Sequence, residues 1–543
     1  MWWTMRIANA RWVGLAAVLA LPALAPAAVP DKDAIVAKLT AAIDRRLADD
    51  WAARKIAPAD RAYDGEFVRR VYLDLVGRSP RVAETRAFLA DAAPNKRAKL
   101  VERLMSTPGF AVHFASLTRA EWLPQSLSNP QLVFLGNQFE DWLRRKYSSN
   151  VPLDKVVRDL LIAKVQVGQR GQVAFDQNAD PDTVSISAFY QSNEVKPEQI
   201  AATSSRAFLG VKLECAQCHD HPFAKYTRDQ FWQFAAFFGE FTPLPPTSPS
   251  FVGPKLPQHD TNRLTIPNTT RTITARYFNG ESPDWSADRS PRQELALWLT
   301  DGQNDYFARN LANRLWAQVF GIGITDPVDE PGDENPPSHP ALLDDLAAGL
   351  VESGFDQQVL LKAMLASRAY NLTSRVSDPS QNDARRFARM NLKGLTSNQI
   401  YDSFIAATGH RDGIPRAQQQ FFDPRNENGR SAFRNLFTLG GKPTETQTSI
   451  LQALMMMNGG LTANQTSLDK SDVLAAVIDA PFLDNGKRID TLFLAAFTRE
   501  PTAEEREKYT SYVDRGGPSG DKKKALADVF WVLLNSPEFL FNH

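Results

Sequence analysis

Apolar residues recur at steps of three and four along most of the chain, which is the spacing that gathers them on one face of an α-helix. Residues Ala34 to Lys55 follow this pattern, and residues Ala83 to Met105 follow it on both sides of an Ala-Pro-Asn break. The same spacing returns in SPRQELALWLT, NDYFARNLANRLWAQVFG, PALLDDLAAGLVESG, DQQVLLKAMLASRAY, AEEREKYTSYVDRGG and KKKALADVFWVLLNSPEFLFNH. The pattern therefore predicts a mainly α protein.

Residues that favour helix ends stand at the edges of several of these segments. Thr227 and Gln230 have the spacing of a capping box, which starts a helix at residue 228. Gly354 suits the end of one helix, and Asp356 suits the N-cap of the next. We therefore expect separate helices with short connections.

One region departs from the helical pattern. Residues 241–290 are rich in proline and polar residues, and they include RLTIP and TRTITARYFNGE, whose alternation is typical of short strands. We interpret this region as a connector with a small β element between two helical domains. The predicted organisation is a signal peptide (1–28), a first helical domain (31–240), the Pro-rich connector (241–290) and a C-terminal helical domain (291–543).

The first residues have the features of a secretory signal peptide. Arg6 and Arg11 precede an apolar run from Trp12 to Leu24, and the small residues Ala25-Pro26-Ala27 follow it. The alternative is a retained membrane anchor, but this run is shorter than the ~20 residues that a spanning helix needs. No second apolar run of that length follows, so the sequence predicts a periplasmic or secreted protein with no membrane span in the mature chain.

The charge balance excludes two classes of partner. Lysine and arginine number 62, and aspartate and glutamate also number 62, so the formal net charge is zero. A protein that binds nucleic acid or an anionic membrane usually carries a basic excess or a polybasic segment. We therefore expect neither a nucleic acid nor an anionic membrane surface as the partner.

The only two cysteines of the chain, Cys215 and Cys218, lie in the segment C-A-Q-C-H, with His219 directly after the second. This spacing is the attachment signature of a c-type haem. Two thiols on one turn can each form a thioether with the porphyrin, and the histidine becomes the proximal iron ligand. Haem attachment follows export, so the signal peptide supports the same interpretation. We predict one covalent haem c per chain.

Other chemistry fits the same residues. Cys215 and Cys218 could form a redox-active disulfide, although thioredoxin-type pairs do not require the histidine. A zinc ion could take both thiols with His219 and His221, although structural zinc sites usually draw ligand pairs from separate segments. We treat His221 as a supporting residue of the haem site or a ligand of such a metal. Two unrelated cysteines are the simplest alternative.

A sixth iron ligand would come from elsewhere in the chain. His339 is the candidate distal ligand, because Pro336, Pro337 and Pro340 stiffen its backbone and Ser338 is expected to cap the following helix. The alternative is a histidine that only hydrogen-bonds at a helix start. The aromatic residues after the cysteines could wall a porphyrin or belong to the ordinary core: Phe231, Phe234, Phe237 and Phe238.

The chain resembles planctomycete-type secreted proteins that pair a cytochrome-c-like domain of unknown function with a second domain of unknown function. FVRRVYLDLVGRSP (67–80), RAFLGVKLECAQCHDHPF and AAFF carry the resemblance of the first domain. The second is similar through PRQELALWLT, NRLWAQVFGIGITDPVDE, NPPSHPALLDDLA, ESGFDQQVLLKAMLASRAY and LLNSPEFLFNH. The resemblance implies secretion, a C-x-x-C-H segment and helical domains, and it implies no settled reaction. Where relatives often have a histidine after the NRLW-like motif, this chain has Ala317, Gln318 and Val319.

Two functions are compatible with these observations. The first is an exported monohaem c-type protein with a redox role, as electron carrier or haem oxidoreductase. The chain is far longer than the roughly 100 residues of a common small domain, so either the rest of it binds a redox partner protein or an extracellular substrate, or the haem serves a reaction of the whole assembly. The second is a secreted hydrolase or polysaccharide-processing or binding protein, in which the Cys-His segment is structural or binds another metal. Acidic residues that could form a metal-binding or sugar-binding rim for it precede His339: Asp326, Asp329, Glu330, Asp333 and Glu334.

Overall fold

The computed structural model describes residues 31–167, 173–174, 180–220, 226–242, 262–286, 288–330, 332, 335–409, 466–468 and 471–543. The predicted signal peptide and His221 lie outside the described residues. Within them the chain is mainly helical, which confirms the predicted fold class. In the part of the chain that the structure describes, no helix has the length and apolar character needed to cross a membrane.

The first half is a succession of helices of 4 to 23 residues. They are α1 (Lys32–Arg54), α2 (Asp64–Val76), α3 (Val82–Ala90), α4 (Lys96–Met105), α5 (Pro108–Trp122), α6 (Gln125–Ser128), α7 (Pro130–Ser148), α8 (Leu153–Ile162), α9 (Pro181–Ser192), α10 (Pro197–Ser204) and α11 (Arg228–Ala235). Between α10 and α11 lie a π-helix (Ser205–Leu209) and a 3-10 turn (Glu214–Gln217), and a second 3-10 segment (Ala236–Phe241) follows α11.

The second half continues in the same way. Its helices are α12 (Pro291–Leu299), α13 (Asp305–Phe320), α14 (Pro340–Glu352), α15 (Gln357–Ala366), α16 (Ser397–Thr408), α17 (Asp472–Asp479), α18 (Asn485–Phe497), α19 (Ala503–Asp514), α20 (Lys522–Leu534) and α21 (Pro537–Leu540). Short 3-10 turns lie at Pro379–Asn382, Ala384–Arg386 and Gly517–Ser519.

Strands form only small antiparallel pairs among the described residues. They are β1 (Gln166–Val167) with β2 (Val173–Ala174), β3 (Arg263–Thr265) with β4 (Thr272–Thr274), and β5 (Lys393–Gly394) with β6 (Phe541–Asn542). The β3–β4 hairpin buries Leu264 and Ile273 and exposes their neighbours, as the alternation predicts. The expected β element of the connector is therefore confirmed. The β5–β6 pair was not expected, because its strands are 147 or more residues apart in the sequence.

Most of the predicted helix ends are confirmed. Thr227 and Gln230 form a capping box at the start of α11. Asp356 accepts a hydrogen bond from the backbone N–H of Gln358 at the start of α15, and Gly354 follows the end of α14 with a φ of +68°. The expected cap at Ser338 was wrong, since α14 begins after His339 and its cap position makes no side-chain hydrogen bond.

Among the residues that the structure describes, the buried apolar side chains form two clusters. The larger contains residues from Ile35 to Met390 and therefore draws on both sides of the predicted connector. Within it α1 packs against α14 and α15, and ion pairs such as that between Arg46 and Asp345 join the same helices. The smaller cluster contains the helices α16–α21 together with Leu73 of α2. The predicted domain boundaries stay a prediction.

Candidate functional site

The C-A-Q-C-H segment forms one tight turn at the surface. The 3-10 turn Glu214–Gln217 holds Cys215, and Cys218 follows it directly. Leu213 and Ala216 are fully buried beneath the turn, whereas both cysteines are exposed free thiols. The apolar residues therefore anchor the turn and leave both sulfur atoms open to a ligand in the solvent.

Hydrogen bonds from neighbouring elements fix this turn. The indole Nε1 of Trp232 on α11 donates to the backbone carbonyl of Gln217 at 3.1 Å. The backbone N–H of Lys212 donates to the carbonyl of Asp329 at 3.0 Å. The turn is thus attached to α11 on one side and to the segment after α13 on the other.

His219 is exposed, and its ring orientation is set by the backbone. Its Nδ1 lies 2.7 Å from the carbonyl oxygen of Asp220. Since a carbonyl oxygen only accepts, Nδ1 carries the hydrogen, and in the neutral ring Nε2 keeps its lone pair. The carboxylate of Asp220 in turn accepts the backbone N–H of Arg228 at 2.8 Å. A metal-binding histidine commonly has this arrangement, in which one ring nitrogen is oriented by a carbonyl and the other can bind the metal.

These residues fit the attachment half of a haem c site. Two free thiols and an imidazole with an available Nε2 lie on one exposed turn, which is the donor set that a c-type haem uses. Of the two possibilities for the aromatic residues after the cysteines, the structure shows the ordinary core: Phe231, Phe234, Phe237 and Phe238 are all fully buried. The ring of Phe234 packs against Phe237, Phe238 and Phe278, and that of Phe237 also packs against Tyr277 and Trp285. Phe231 packs against Trp232, so this face belongs to the ordinary core.

The structure places His339 in a different buried cluster. Its Nδ1 lies 3.1 Å from the hydroxyl of Ser338, its Nε2 lies 3.4 Å from a carboxylate oxygen of Asp50 on α1, and its ring contacts Phe387. Burial lowers the pKa of His339, and the carboxylate of Asp50 partly opposes this. Among the described residues no hydrogen bond, ion pair or ring contact joins His339 to the cysteine turn, and its role as distal ligand stays a prediction.

The residues of the alternative metal site are not brought together by the described parts of the chain. Within these parts no group of three or more histidine, cysteine, aspartate or glutamate residues could hold a metal ion. His221, Asp333 and Glu334 lie outside the described residues. Glu330, from the expected acidic rim, instead lies 3.4 Å from the ammonium group of Lys212.

Sequence reasoning missed a buried polar network centred on Asp74 of α2. Its carboxylate accepts hydrogen bonds from Lys393 at 2.5 Å, Tyr370 at 2.9 Å and Asn542 at 2.7 Å. Burial raises the pKa of Asp74 and lowers that of Lys393, while each charge partly opposes the shift of the other. The resemblance gave a signal, because Asp74, Tyr370 and Asn542 all lie in its quoted motifs.

His113 of α5 lies close to this network. Its ring donates to the backbone carbonyl of Asp74, and burial together with the charge of Lys393 lowers its pKa to about 4. The ring also lies directly against Gly77, where an added Cβ would be 2.5 Å from Nδ1. The imidazole is therefore a neutral packing element.

Comparison with known families finds two family models, one in each half of the chain. Residues 42–242 match the family model PSCyt2, described as a protein of unknown function (DUF1549). Residues 291–513 match the family model PSD1, also described as a protein of unknown function (DUF1553). No curated protein and no solved structure matches the chain. The chain thus matches two family models of unknown function, in the order that the resemblance implies.

Proposed function

We propose that this chain, which carries the PSCyt2 and PSD1 domains, is an exported c-type haem protein with a redox role. The single observation that carries the proposal is the exposed turn on which Cys215, Cys218 and the Nε2 of His219 are all available. These are the only cysteines of the chain, so their joint position beside an oriented imidazole argues for one shared ligand.

The roles of the three residues follow from their chemistry. Each thiol would add across one vinyl group of the porphyrin, with a new S–C bond and with the thiol hydrogen moving to the other vinyl carbon. His219 would bind the iron through Nε2, while the carbonyl of Asp220 keeps its ring in place. A haem bound in this way supplies one-electron transfer, and its potential depends on the axial ligands and on the surroundings.

The exposed position of the turn supports exchange of electrons with a partner protein or with an extracellular substrate. Electron transfer and catalysis differ at the sixth iron position, since an open position favours catalysis. For His339 to occupy that position, its ring would have to leave Asp50 and Ser338. Export rests on the N-terminal residues, which have the features of a signal peptide.

The test is to produce the chain in a periplasm equipped for haem attachment and to record the pyridine haemochrome spectrum of the denatured protein. We expect a c-type spectrum that stays with the polypeptide, together with the mass of one haem. The same chain produced without the attachment machinery is the matched control, and the double variant Cys215→Ala, Cys218→Ala should lose the haem entirely. Carbon monoxide added to the reduced protein then reports whether the sixth position is open.

Absence of covalent haem from the wild-type chain under these conditions would overturn the proposal. Zinc bound through the thiols would then favour the alternative, a hydrolase or polysaccharide-binding protein with a structural metal. Thiols that oxidise to an intramolecular disulfide, with no metal, would favour the C-x-x-C redox pair.

A further inference from the structure

Helix α11 holds the cysteine turn at two points. The backbone N–H of Arg228, the first residue of α11, donates to the carboxylate of Asp220 at 2.8 Å. The indole Nε1 of Trp232 donates to the backbone carbonyl of Gln217 at 3.1 Å. Since Arg228 and Trp232 are four positions apart, they lie on one face of the helix. The turn is therefore bound to a single face of α11.

The two contacts lie on either side of the predicted iron ligand. Gln217 directly precedes Cys218, and Asp220 directly follows His219. The backbone carbonyl of Asp220 also accepts the hydrogen bond from Nδ1 of His219 at 2.7 Å. The residue that orients the imidazole is thus itself fixed to α11 through its side chain.

The helix that provides these contacts is firmly packed. Trp232 is only 3% exposed, and its ring packs edge-on against Phe231, with 5.2 Å between the ring centroids. Phe231 and Phe234 are fully buried, and the capping box of Thr227 and Gln230 fixes the start of the helix. Close-packed side chains of this kind have little room to move. Helix α11 is therefore a rigid support for the turn.

The imidazole needs such a support because the core does not hold it. His219 is exposed, as are Cys215 and Cys218, so packing around the ring does not select one rotamer. A histidine that binds a metal is usually oriented through a hydrogen bond at its other ring nitrogen. In this chain that bond depends on where the turn places Asp220.

We propose that Asp220 and Trp232 are positioning residues, which hold His219 with its Nε2 available to the haem iron. This inference rests on the proposed function. The hydrogen bond from Nδ1 makes the imidazole a more basic ligand, and a more basic axial ligand stabilises ferric iron and lowers the reduction potential. Asp220 and Trp232 act on the potential only through His219 and its turn.

The first measurement is the reduction potential of the haem-loaded variant Trp232→Phe. This change removes the indole N–H, keeps an aromatic ring in the core and alters no charge. We expect a higher potential than in the wild type, because the loosened turn weakens the hydrogen bond at Nδ1. Trp316→Phe is the matched control, since Trp316 is fully buried and its indole Nε1 has no hydrogen-bond partner among the described residues. The control should keep the wild-type potential.

The second measurement compares Asp220→Ala with Asp220→Asn. Both variants lose the same negative charge, but only the asparagine keeps an oxygen that can accept the N–H of Arg228. The difference between their potentials therefore reports the hydrogen bond and not the charge. We expect a higher potential in Asp220→Ala, with Asp220→Asn closer to the wild type.

Either of two results, obtained with haem attached, would overturn the inference and leave the proposed function intact. One is a wild-type potential in Trp232→Phe, and the other is an equal potential in the two Asp220 variants. Circular dichroism checks that each variant is folded. Because Asp220 is exposed, its two variants provide the test even where the change at Trp232 lowers stability.

A separate measurement applies if the wild-type chain carries no haem, which is a failure of the proposed function. Nitrogen NMR of chain labelled with ¹⁵N-histidine then reports which ring nitrogen of His219 carries the hydrogen, with His219→Gln to assign the signal. We expect the Nδ1–H form in the wild type and a smaller share of it in Trp232→Phe and Asp220→Ala. Equal shares in all three chains would overturn the positioning role itself.

Discussion

At the scale of single residues, the ion pair between Lys393 and Asp74 is a buried feature on which stability should depend. The ammonium group donates to Asp74 and to the backbone carbonyls of Gln318 and Val319. The two side chains are only 13% and 5% exposed. Removal of one partner from a buried pair leaves the other charge without compensation.

We therefore expect Lys393→Met to lower the free energy of unfolding by about 3 kcal/mol or more. The measurement is urea unfolding followed by circular dichroism. Lys38→Met is the matched control, because Lys38 is 66% exposed in its pair with Glu352, and surface pairs contribute at most about 1 kcal/mol. Equal losses in the two variants would show that the buried network does not stabilise the fold.

His113 should make the fold sensitive to acid. Its pKa in the folded chain is about 4, against 6.5 for an ordinary histidine. As the pH falls below 6.5, this histidine is protonated in the unfolded chain, whereas in the folded chain it is protonated only near pH 4. The free energy of unfolding therefore decreases between pH 6.5 and about pH 4. The contribution is on the order of 3 kcal/mol. The partly buried His543, whose pKa is also lowered to about 4, acts in the same direction.

Comparison of urea unfolding at pH 7 and pH 5 tests this expectation. The variant His113→Gln keeps a donor for the carbonyl of Asp74 but has no titratable group, so its stability should fall less between these two pH values than that of the wild type. If His113→Gln and the wild type lose the same stability between pH 7 and pH 5, His113 is not a source of the acid sensitivity.

At the scale of elements, the end of the π-helix depends on a glycine. Gly210 adopts a φ of +70°, and a Cβ at this position would lie 2.6 Å from the side-chain oxygen of Asn310. The side chain of Asn310 donates a hydrogen bond to the carbonyl of Ala207 in the π-helix and accepts one from Arg314. A side chain here would therefore disturb the junction between the π-helix and α13, next to the cysteine turn.

We expect Gly210→Ala to destabilise the protein by about 3 kcal/mol, from backbone strain together with the displaced Asn310. Gly354→Ala is the control, since Gly354 has a φ of +68° but no atom within 4 Å of an added Cβ, and strain alone costs about 1 kcal/mol. The denaturant midpoints of the two variants give the comparison. A similar loss of stability in both variants would mean that the contact with Asn310 does not contribute to the stability of the fold.

At the scale of the whole molecule, the larger core joins helices from both sides of the Pro-rich connector. Helix α1 buries Ile35, Leu39, Ile43, Leu47 and Trp51, and it packs against α14 and α15. The indole of Trp51 also donates to the carbonyl of Arg386. These contacts cross the connector that the composition suggested as a boundary between independent domains.

We therefore expect fragments 31–242 and 262–543, produced separately, to lack cooperative unfolding and to bind an apolar dye such as ANS. Mixed during refolding, they should recover the helical signal and a single transition in differential scanning calorimetry. The intact chain 31–543 is the control. Cooperative unfolding of each fragment alone would instead support two independent domains divided at residues 241–290.

The sequence by itself determined the local features of this protein. Helical segments, the capping box at Thr227, the N-cap at Asp356 and the β3–β4 hairpin each depend on residues within a few positions of one another. The spacing of Cys215, Cys218 and His219 is local too, so their candidate chemistry was visible without coordinates. The resemblance to the two paired families was likewise carried by continuous motifs.

The tertiary structure alone decided which distant residues meet. Asp74, Tyr370, Lys393 and Asn542 are separated by up to 468 positions, and nothing in their local sequence marks them as partners. The same holds for His339 with Asp50 and for Arg206 with Arg314. The aromatic residues of α11 and of the 3-10 segment after it had the spacing of a haem wall and of a core face alike. Burial by neighbours from elsewhere in the chain, a long-range property that no short pattern encodes, assigned them to the core.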